Sequence, residues 1–438
     1  MRLQINNFAK IGQSDIILDG ITIIAGENNT GKSTVGKILF SLFNALCDIE
    51  DKVRKERLAE IRNTTFTILQ NNIIGLDISR NTLTRNSLRL SRQIRQQIKE
   101  TFEENSEITK QDILEMVEDE LNVWDDLRAG MTHYEWDGLV EQLTQNISEI
   151  LELSEKDIIR EVITGYFGNV FHDQISSLVN KDNAATLLRL EIKGRNNTVV
   201  FEENRCKEFE SEIDLTNKAI YIDNPFIIDE LASSSSMNPM NKLLKELLAD
   251  TEDTEAMDGI IETLRAKEKL SDIYDALARV VDGNIERNKV DDEFYLKSDC
   301  FEEPLSFHNL SAGMKSFVVL KMLVEKGCIK EKDVIILDEP EIHLHPQWQV
   351  AYAELIVLLQ KHFDLNIVVT THSPYFVDAI NLFSCKYDID KKVNYYLSTN
   401  MGAVAKMENV TDHIDAIYKK MASPIQILDT LRYELNNS

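Results

Sequence analysis

The chain has 438 residues, 43% of them hydrophobic, and its 74 acidic residues against 48 basic ones give a net charge of −26. That composition excludes a disordered or fibrous polymer, and the charge excludes long-range attraction to nucleic acid, leaving only local basic patches or basic partners for such contacts. No run of 18 apolar residues and no basic-then-apolar leader occurs, so no helical membrane span or secretory signal is expected and the cytoplasm is the default compartment.

Along the chain, residues 1–25 alternate polar and apolar in short runs with glycine at the joints, which predicts brief strands leading into the β-branched run ITIIA. From Ser33 the apolar residues Val35, Ile38, Leu39, Leu42, Phe43 and Leu46 follow helical spacing. Residues 1–47 therefore read as one strand-loop-helix lobe. Residues 48–182 read as a large helical insertion, without the sustained heptads of a long coiled coil. Its charge is segregated: 78–99 contains Arg80, Arg85, Arg89, Arg92, Arg95 and Lys99 with no acid, whereas 100–126 holds eleven acids against Lys110 alone. On a helix, Arg85, Arg89, Arg92, Arg95 and Lys99 share one face and Leu83, Leu90, Ile94 and Ile98 the other. This stripe either contacts a phosphate backbone or acidic partner, or pairs with the acidic segment in a helix hairpin.

Residues 183–225 predict a β-rich return, with GRNN (194–197) as a hairpin turn, and 226–300 a mainly helical segment opened by a polar loop at 233–241 and followed by short strands. Residues 301–438 alternate helix and strand, the pattern of a parallel sheet covered by helices. The fold class is thus α/β, with a mixed, mostly parallel sheet and a helical insertion. Five widely spaced cysteines without a C-x-x-C pair predict reduced structural thiols.

Ala25–Thr34, AGENNTGKST, fits G-x-x-x-x-G-K-[ST] between a strand and a helix. In such a loop, Gly26, Asn28, Asn29, Thr30, Gly31 and Thr34 turn backbone N–H groups toward phosphate oxygens at the positive end of the helix, Lys32 reaches the β- and γ-phosphates, and Ser33 ligates Mg²⁺. The apolar strand Val334–Leu337 ends in Asp338 and Glu339, where open α/β sheets bind ligands. Asp338 suits the Mg²⁺ shell and Glu339 suits activation of the attacking water. Ser311 and Gly313 in NLSAGMKS open a helix and either touch a phosphate or simply cap it. His372 ends a further apolar strand, IVVTTHSP, beside the presumed nucleotide.

These four motifs, in this order, resemble the ATPase heads of the ABC superfamily in its RecF/SMC and OLD-like branch, and DEPEIHLHP is similar to the form used by OLD-like ATPases. The resemblance covers roughly residues 1–46 and 300–380. It implies an ABC-type P-loop ATPase head that uses ATP and Mg²⁺ and forms a head-to-tail homodimer, with Ser311 and Gly313 of one subunit capping ATP held by Lys32 and Ser33 of the other. It also implies Asp338 as the magnesium residue, Glu339 as the catalytic carboxylate, Glu341–His345 as the D-loop region and His372 as the switch histidine. Departures from the pattern are Ala312 in place of the second signature glycine and Met314 in place of Gln or Glu. Gln70 and the segment before Asn224 are the candidates for a Q-loop.

Within that branch the nearest families are the ATPases of the Septu and PARIS defence systems. They imply a sensor or scaffold whose nucleotide-driven dimerisation controls a separate effector such as a nuclease. Asp388 and Asp390 resemble the D-x-D of a Toprim nuclease, but too short a stretch follows His372 for that domain, so they read as a solvated turn. His343, His345, His362 and His372 lack the carboxylate or cysteine set of a zinc site. The alternative reading is a RecF-like repair ATPase with the Arg85–Lys99 stripe on DNA.

Overall fold

The computed structural model describes residues 1–72, 80–103, 108–179, 185–231, 237–249, 270–288, 293–421 and 423–436. It contains two compact units, Met1–Cys47 with Ile163–Ser438, and Asp48–Val162.

The first unit is built on strands β1 (Arg2–Phe8), β2 (Ile11–Ile17) and β3 (Ile21–Gly26), followed by helix α1 (Lys32–Leu46). After the second unit's helices come β4 (Thr186–Ile192), β5 (Arg195–Glu202), β6 (Arg205–Ser211) and β7 (Ala219–Ile222). These join one eleven-stranded sheet of order β6-β5-β4-β1-β2-β14-β13-β3-β12-β11-β7, completed by β11 (Val334–Asp338), β12 (Asn366–Thr371), β13 (Val393–Met401) and β14 (Val404–Asn409). The half β13-β3-β12-β11-β7 is parallel throughout. In the other half β1, β2, β4, β5 and β6 pair antiparallel. Pattern and burial agree: β3 and β7 are buried at every residue, as continuous apolar runs require, while β4 and β5 alternate.

Helix α1 covers one face of the parallel half, where Gly36 lies against Ile336 and Tyr221 and the Phe40 ring meets Tyr221 edge-on. The opposite face carries Ile23, Ile335, Ile367 and Val369 in a core shared with α8 (Pro239–Ala249), α9 (Ser271–Ala278), α10 (Ala312–Glu325), α11 (Pro346–Phe363) and α12 (Pro374–Lys386). A small antiparallel sheet of β8 (Asn284–Arg287), β9 (Phe294–Lys297) and β10 (Leu305–Ser306) precedes α10, and α13 (Asp415–Met421) and α14 (Ser423–Asn436) end the chain.

The hairpin between β4 and β5 turns at Lys193–Gly194, with φ values of 51° and 80°, so that of the predicted GRNN only Gly194 lies in the turn and Arg195–Asn197 open β5. The reason is Asn197. Its amide is buried in β5, donating to the Ile213 carbonyl at 2.9 Å and accepting from the Ser211 hydroxyl at 3.0 Å, so a turn-like residue serves as strand.

The second unit is helical: α2 (Ile49–Asn72), α3 (Arg80–Glu103), α4 (Lys110–Asn122), α5 (Asp125–Gly130), α6 (His133–Glu152) and the first half of α7 (Glu155–Phe171). Thr109 and Thr132 start α4 and α6 with capping boxes completed by Asp112 and Glu135, whose carboxyls are held below their usual range by those hydrogen bonds. On α3, Leu90, Ile94 and Ile98 are buried as the sequence predicted, and Arg85, Arg89, Arg92 and Lys99 are exposed, with Arg95 half-buried. The side chains of Arg80 and Leu83 lie outside the described residues. Gln97 donates to Glu120 of α4 at 2.9 Å, as a hairpin of α3 and α4 requires.

The predicted insertion ran to 182, whereas the compact unit ends at Val162. Packing explains the difference, because the second half of α7 places the Phe167 and Phe171 rings 6.1 and 4.7 Å from Phe8 of β1. Phe167 also lies 4.8 Å from Phe201 and is fully buried. The segment predicted as mainly helical contains α8 and α9, and its remainder at 250–269 lies outside the described residues. Among the described residues no helix is long and apolar enough to cross a membrane.

Phe167→Ala should cost the first unit about 3–5 kcal/mol, read as a lower midpoint in urea unfolding followed by circular dichroism. An unchanged midpoint would mean that this aromatic cluster does not anchor α7.

Candidate functional site

The parallel register sets side by side the carboxyl ends of β3, β12, β11 and β7, with Asp338 opposite Thr370 and Leu337 opposite Ile222. The loop after β3 turns at Asn29 and Gly31, with φ of 62° and 83°, before α1 begins at Lys32. The left-handed conformation suits glycine at 31, and alternation of backbone hand makes successive N–H groups converge on one concavity. Thr30 fastens the loop: its hydroxyl donates to the Glu27 carbonyl at 2.8 Å and its carbonyl accepts from Ser398 of β13 at 2.7 Å. The Asn29 carbonyl accepts from Lys10 at 2.8 Å and from Asn400 at 3.4 Å. Glu27, Asn28 and Asn29 are exposed, and Thr34 is half-buried in the first turn of α1.

Lys32 is buried, and its ammonium donates to the carbonyls of Gly26 at 3.0 Å and Glu27 at 2.8 Å and stands 3.5 Å from the Glu339 carboxylate. The Ser33 hydroxyl donates to Asp338 at 2.9 Å. Asp338 also accepts from the Tyr221 hydroxyl at 2.6 Å and from the Thr370 hydroxyl. Burial first, and then Asp338, push the Tyr221 phenol well above its usual range, so it remains a donor. Asp223, which follows β7, has its carboxyl raised by burial and by Asp338, with Lys37 of α1 opposing.

Glu339 takes a left-handed backbone, φ 50° and ψ 51°, and its N–H donates to the carbonyl and hydroxyl of Thr370 at 3.1 Å each. A non-glycine residue there stores roughly 1 kcal/mol or more, here in aiming a carboxylate at Lys32. His372 Nδ1 is 3.7 Å from Glu339 and 3.4 Å from Glu341. The site thus gathers a lysine, a hydroxyl–carboxylate pair of hard oxygen donors suited to Mg²⁺, a second carboxylate and an imidazole. Such a set is chemically able to hold a polyphosphate and to activate water beside it.

A model for the AAA ATPase domain matches residues 1–377. The chain belongs to this family. Among curated relatives, Septu protein PtuA of Bacillus thuringiensis is 37% identical over 105 residues, 19% of this chain and 26% of that one. The Retron Ec83 probable ATPase of Escherichia coli is 29% identical over 180 residues, 33% of this chain and 32% of that one. The matched stretches thus span about a third or less of those relatives' own length. Among solved structures, the SMC head domain from Thermotoga maritima aligns with a TM-score of 0.41 at 11% identity, covering 93% of this chain and 98% of that one.

For a member of this family, the remaining sequence-predicted residues divide sharply. Ser311 and Gly313 stand at the start of α10, where Gly313 packs against the loop after β11. Ser311 Oγ caps the helix by accepting from the Met314 N–H at 3.3 Å, and a Cβ on Gly313 would meet Trp348 at 2.7 Å and the His343 carbonyl at 3.1 Å. Among the described residues no hydrogen bond joins either of them to the loop of Lys32. Gln70 belongs to the helical unit, where it donates to Thr84 at 3.3 Å, whereas the segment before Asn224 does reach the site through Asp223. Asp388, with φ of 60°, and Asp390 are exposed on a turn.

The sequence reading missed Tyr221 and Thr370, and it named Glu341 only as part of the D-loop region, without its contacts to Thr371 and His372. KAIYIDNP carries the same signal as VIILDEP, an apolar strand ending in an acid, and could have been read the same way. Tyr221→Phe should lower unfolding stability by about 1.5–3 kcal/mol, the worth of a hydrogen bond to a carboxylate, with the shift in thermal midpoint as readout. No shift would mean that Asp338 is fully satisfied by Ser33 and Thr370.

Proposed function

We propose that the chain hydrolyses ATP with Mg²⁺ and uses the nucleotide as a clasp between two copies of itself. Convergence of Lys32, Ser33, Asp338 and Glu339 at one sheet edge carries this reading. Lys32 and the loop's N–H groups would bind the β- and γ-phosphates. Ser33 and Asp338 would hold Mg²⁺, which when bound offsets the charge of the phosphates. Glu339 accepts the proton of a water that attacks the γ-phosphorus in line. The bond to the β–γ bridging oxygen breaks, and ADP leaves with phosphate as the second product. His372, beside Glu339, is suited to contact the γ-phosphate.

What supports the dimer part is separation: Gly313 packs on its own loop 340–344, and among the described residues neither it nor Ser311 hydrogen-bonds to its own Lys32 loop. A second copy in head-to-tail arrangement would bring its Ser311 N-terminus, with the positive end of α10, to the first copy's γ-phosphate. We further infer a role as sensor or scaffold in an anti-phage defence system, with dimerisation controlling a separately encoded effector such as a nuclease. The similarity to Septu protein PtuA and to a retron ATPase supports it.

A second reading, direct nucleic-acid binding, draws on α3. Arg85 and Arg92 are exposed, and among the described residues neither has a carboxylate within ion-pair distance. Arg89 is opposed only at longer range by Glu120, whose carboxyl is itself raised mainly by burial. Four arginines and Lys99 on one face favour phosphate, through paired N–H donors.

Lys32→Ala should abolish ATP binding, measured by calorimetry. Glu339→Gln should retain ATP, slow phosphate release about 10²–10⁴-fold and accumulate a dimer in light scattering. Native turnover in Glu339→Gln would remove Glu339 from the base role. For the second reading, duplex DNA binding at low salt should weaken steeply with added salt and vanish in Arg89→Glu/Arg92→Glu; no binding at low salt would exclude it.

A further inference from the structure

Glu341 presents a problem that the hydrolysis reading leaves unsolved. It sits two residues beyond Glu339, in the 3₁₀ segment Pro340–His343, and only 3% of it is exposed. One oxygen, Oε1, accepts from the Thr371 hydroxyl at 2.6 Å and from the His372 N–H at 2.8 Å, and lies 3.4 Å from His372 Nδ1. The other, Oε2, is buried with no hydrogen-bond partner among the described residues. Burial pushes this carboxyl above its usual range against the opposing pull of Thr371 and His372. A buried carboxylate with an unsatisfied oxygen is costly, and a neutral amide would satisfy the same two donors at lower cost. A carboxylate is therefore misplaced for packing alone. What it does that an amide cannot is attract the imidazole of His372, which stands between it and Glu339 at 3.4 and 3.7 Å.

The surroundings make this a rigid mount. Gln349 of α11 donates to the Leu344 carbonyl at 3.2 Å and accepts from Ser373 at 2.9 Å, tying the loop that carries Glu341 to the segment that carries His372. The Gly313 contact with Trp348 and the His343 carbonyl then joins the same loop to the start of α10.

We propose that Glu341 is the positioning residue for His372: its negative charge holds the imidazole in place beside Glu339, so that the histidine and the catalytic carboxylate are presented together. The assignment rests on the ATP-hydrolysis reading and adds to it a residue for which that reading has no use. It acts through His372 and does not touch the phosphates, so its removal should affect turnover and spare binding.

The decisive variant is Glu341→Gln, with ATP and Mg²⁺, phosphate release and ATP affinity measured in parallel. ATP affinity should stay within about twofold and kcat should fall about tenfold or more, the scale of losing an oriented catalytic group. In a His372→Ala background the same substitution should cause little further loss, because the two residues act as one unit. An unchanged thermal midpoint certifies the fold. As a second approach, Thr371→Val removes the hydroxyl that fixes Oε1 while leaving the Glu341 carboxyl and the His372 imidazole, and should lower kcat by a smaller factor with ATP affinity unchanged. Native kcat in Glu341→Gln, or losses that multiply in the double variant, would overturn the assignment. A wild-type chain that binds ATP and never releases phosphate would instead overturn the hydrolysis reading.

Discussion

The carboxylate of Asp338 is the joint on which the site depends. It accepts hydrogen bonds from Ser33 at the start of α1, Tyr221 on β7 and Thr370 on β12, and belongs itself to β11. Four elements are thereby locked at one point, and the lock tolerates no slippage. Because side chains alternate along a strand, a shift of one residue between β11 and β12 would exchange Thr370 for a residue facing the other way. The same register positions Glu339 and His372 one residue beyond Asp338 and Thr371. The geometry of the candidate site and the sheet register are one constraint.

Around that joint, four acids in four environments show why the chain's acidity is not a diffuse property. Asp338 is saturated with donors, while Glu339 faces Lys32 from a left-handed backbone. Asp223 and Glu341 are raised by burial, the first also by Asp338 and the second against two hydrogen bonds. Lys32 and Lys37 are the basic counterweights at this edge. Bringing a polyphosphate to so acidic a rim requires positive charge that these two lysines supply only in part, which is the physical reason for the backbone N–H groups of the loop and for Mg²⁺ in the proposed mechanism.

What could be read from the sequence was what is local. The phosphate loop and the strand ending in Asp338–Glu339 were legible because each packs its chemistry within a dozen residues, and the α3 face was legible because Leu90, Ile94 and Ile98 repeat at helical spacing. The hairpin turn was placed too late because Asn197 is satisfied by Ile213 and Ser211, partners sixteen and fourteen residues away that no local pattern announces. The end of the helical unit was hidden for the same reason: α7 is one uninterrupted helix, and only contact with Phe8 and Phe201 assigns its second half to the sheet. Tyr221 and Thr370 escaped because a tyrosine or threonine in a buried strand looks like core until its hydroxyl is seen to end on a carboxylate.

The two units are joined covalently at Cys47–Asp48 and through α7. Helix α1 carries Lys32 and Ser33 in its first turn and ends at Leu46, next to the Cys47–Asp48 link. Charge–charge and hydrogen-bond contacts hold that first turn, through Lys32 to Glu339 and Ser33 to Asp338, and these are the contacts a bound polyphosphate would compete for. A ligand that prefers one setting of α1 can shift a conformational equilibrium only by the difference in its affinity for the two settings. In the proposed mechanism that difference would arise at Lys32, whose hydrogen bonds to the carbonyls of Gly26 and Glu27 compete with those that a phosphate would make.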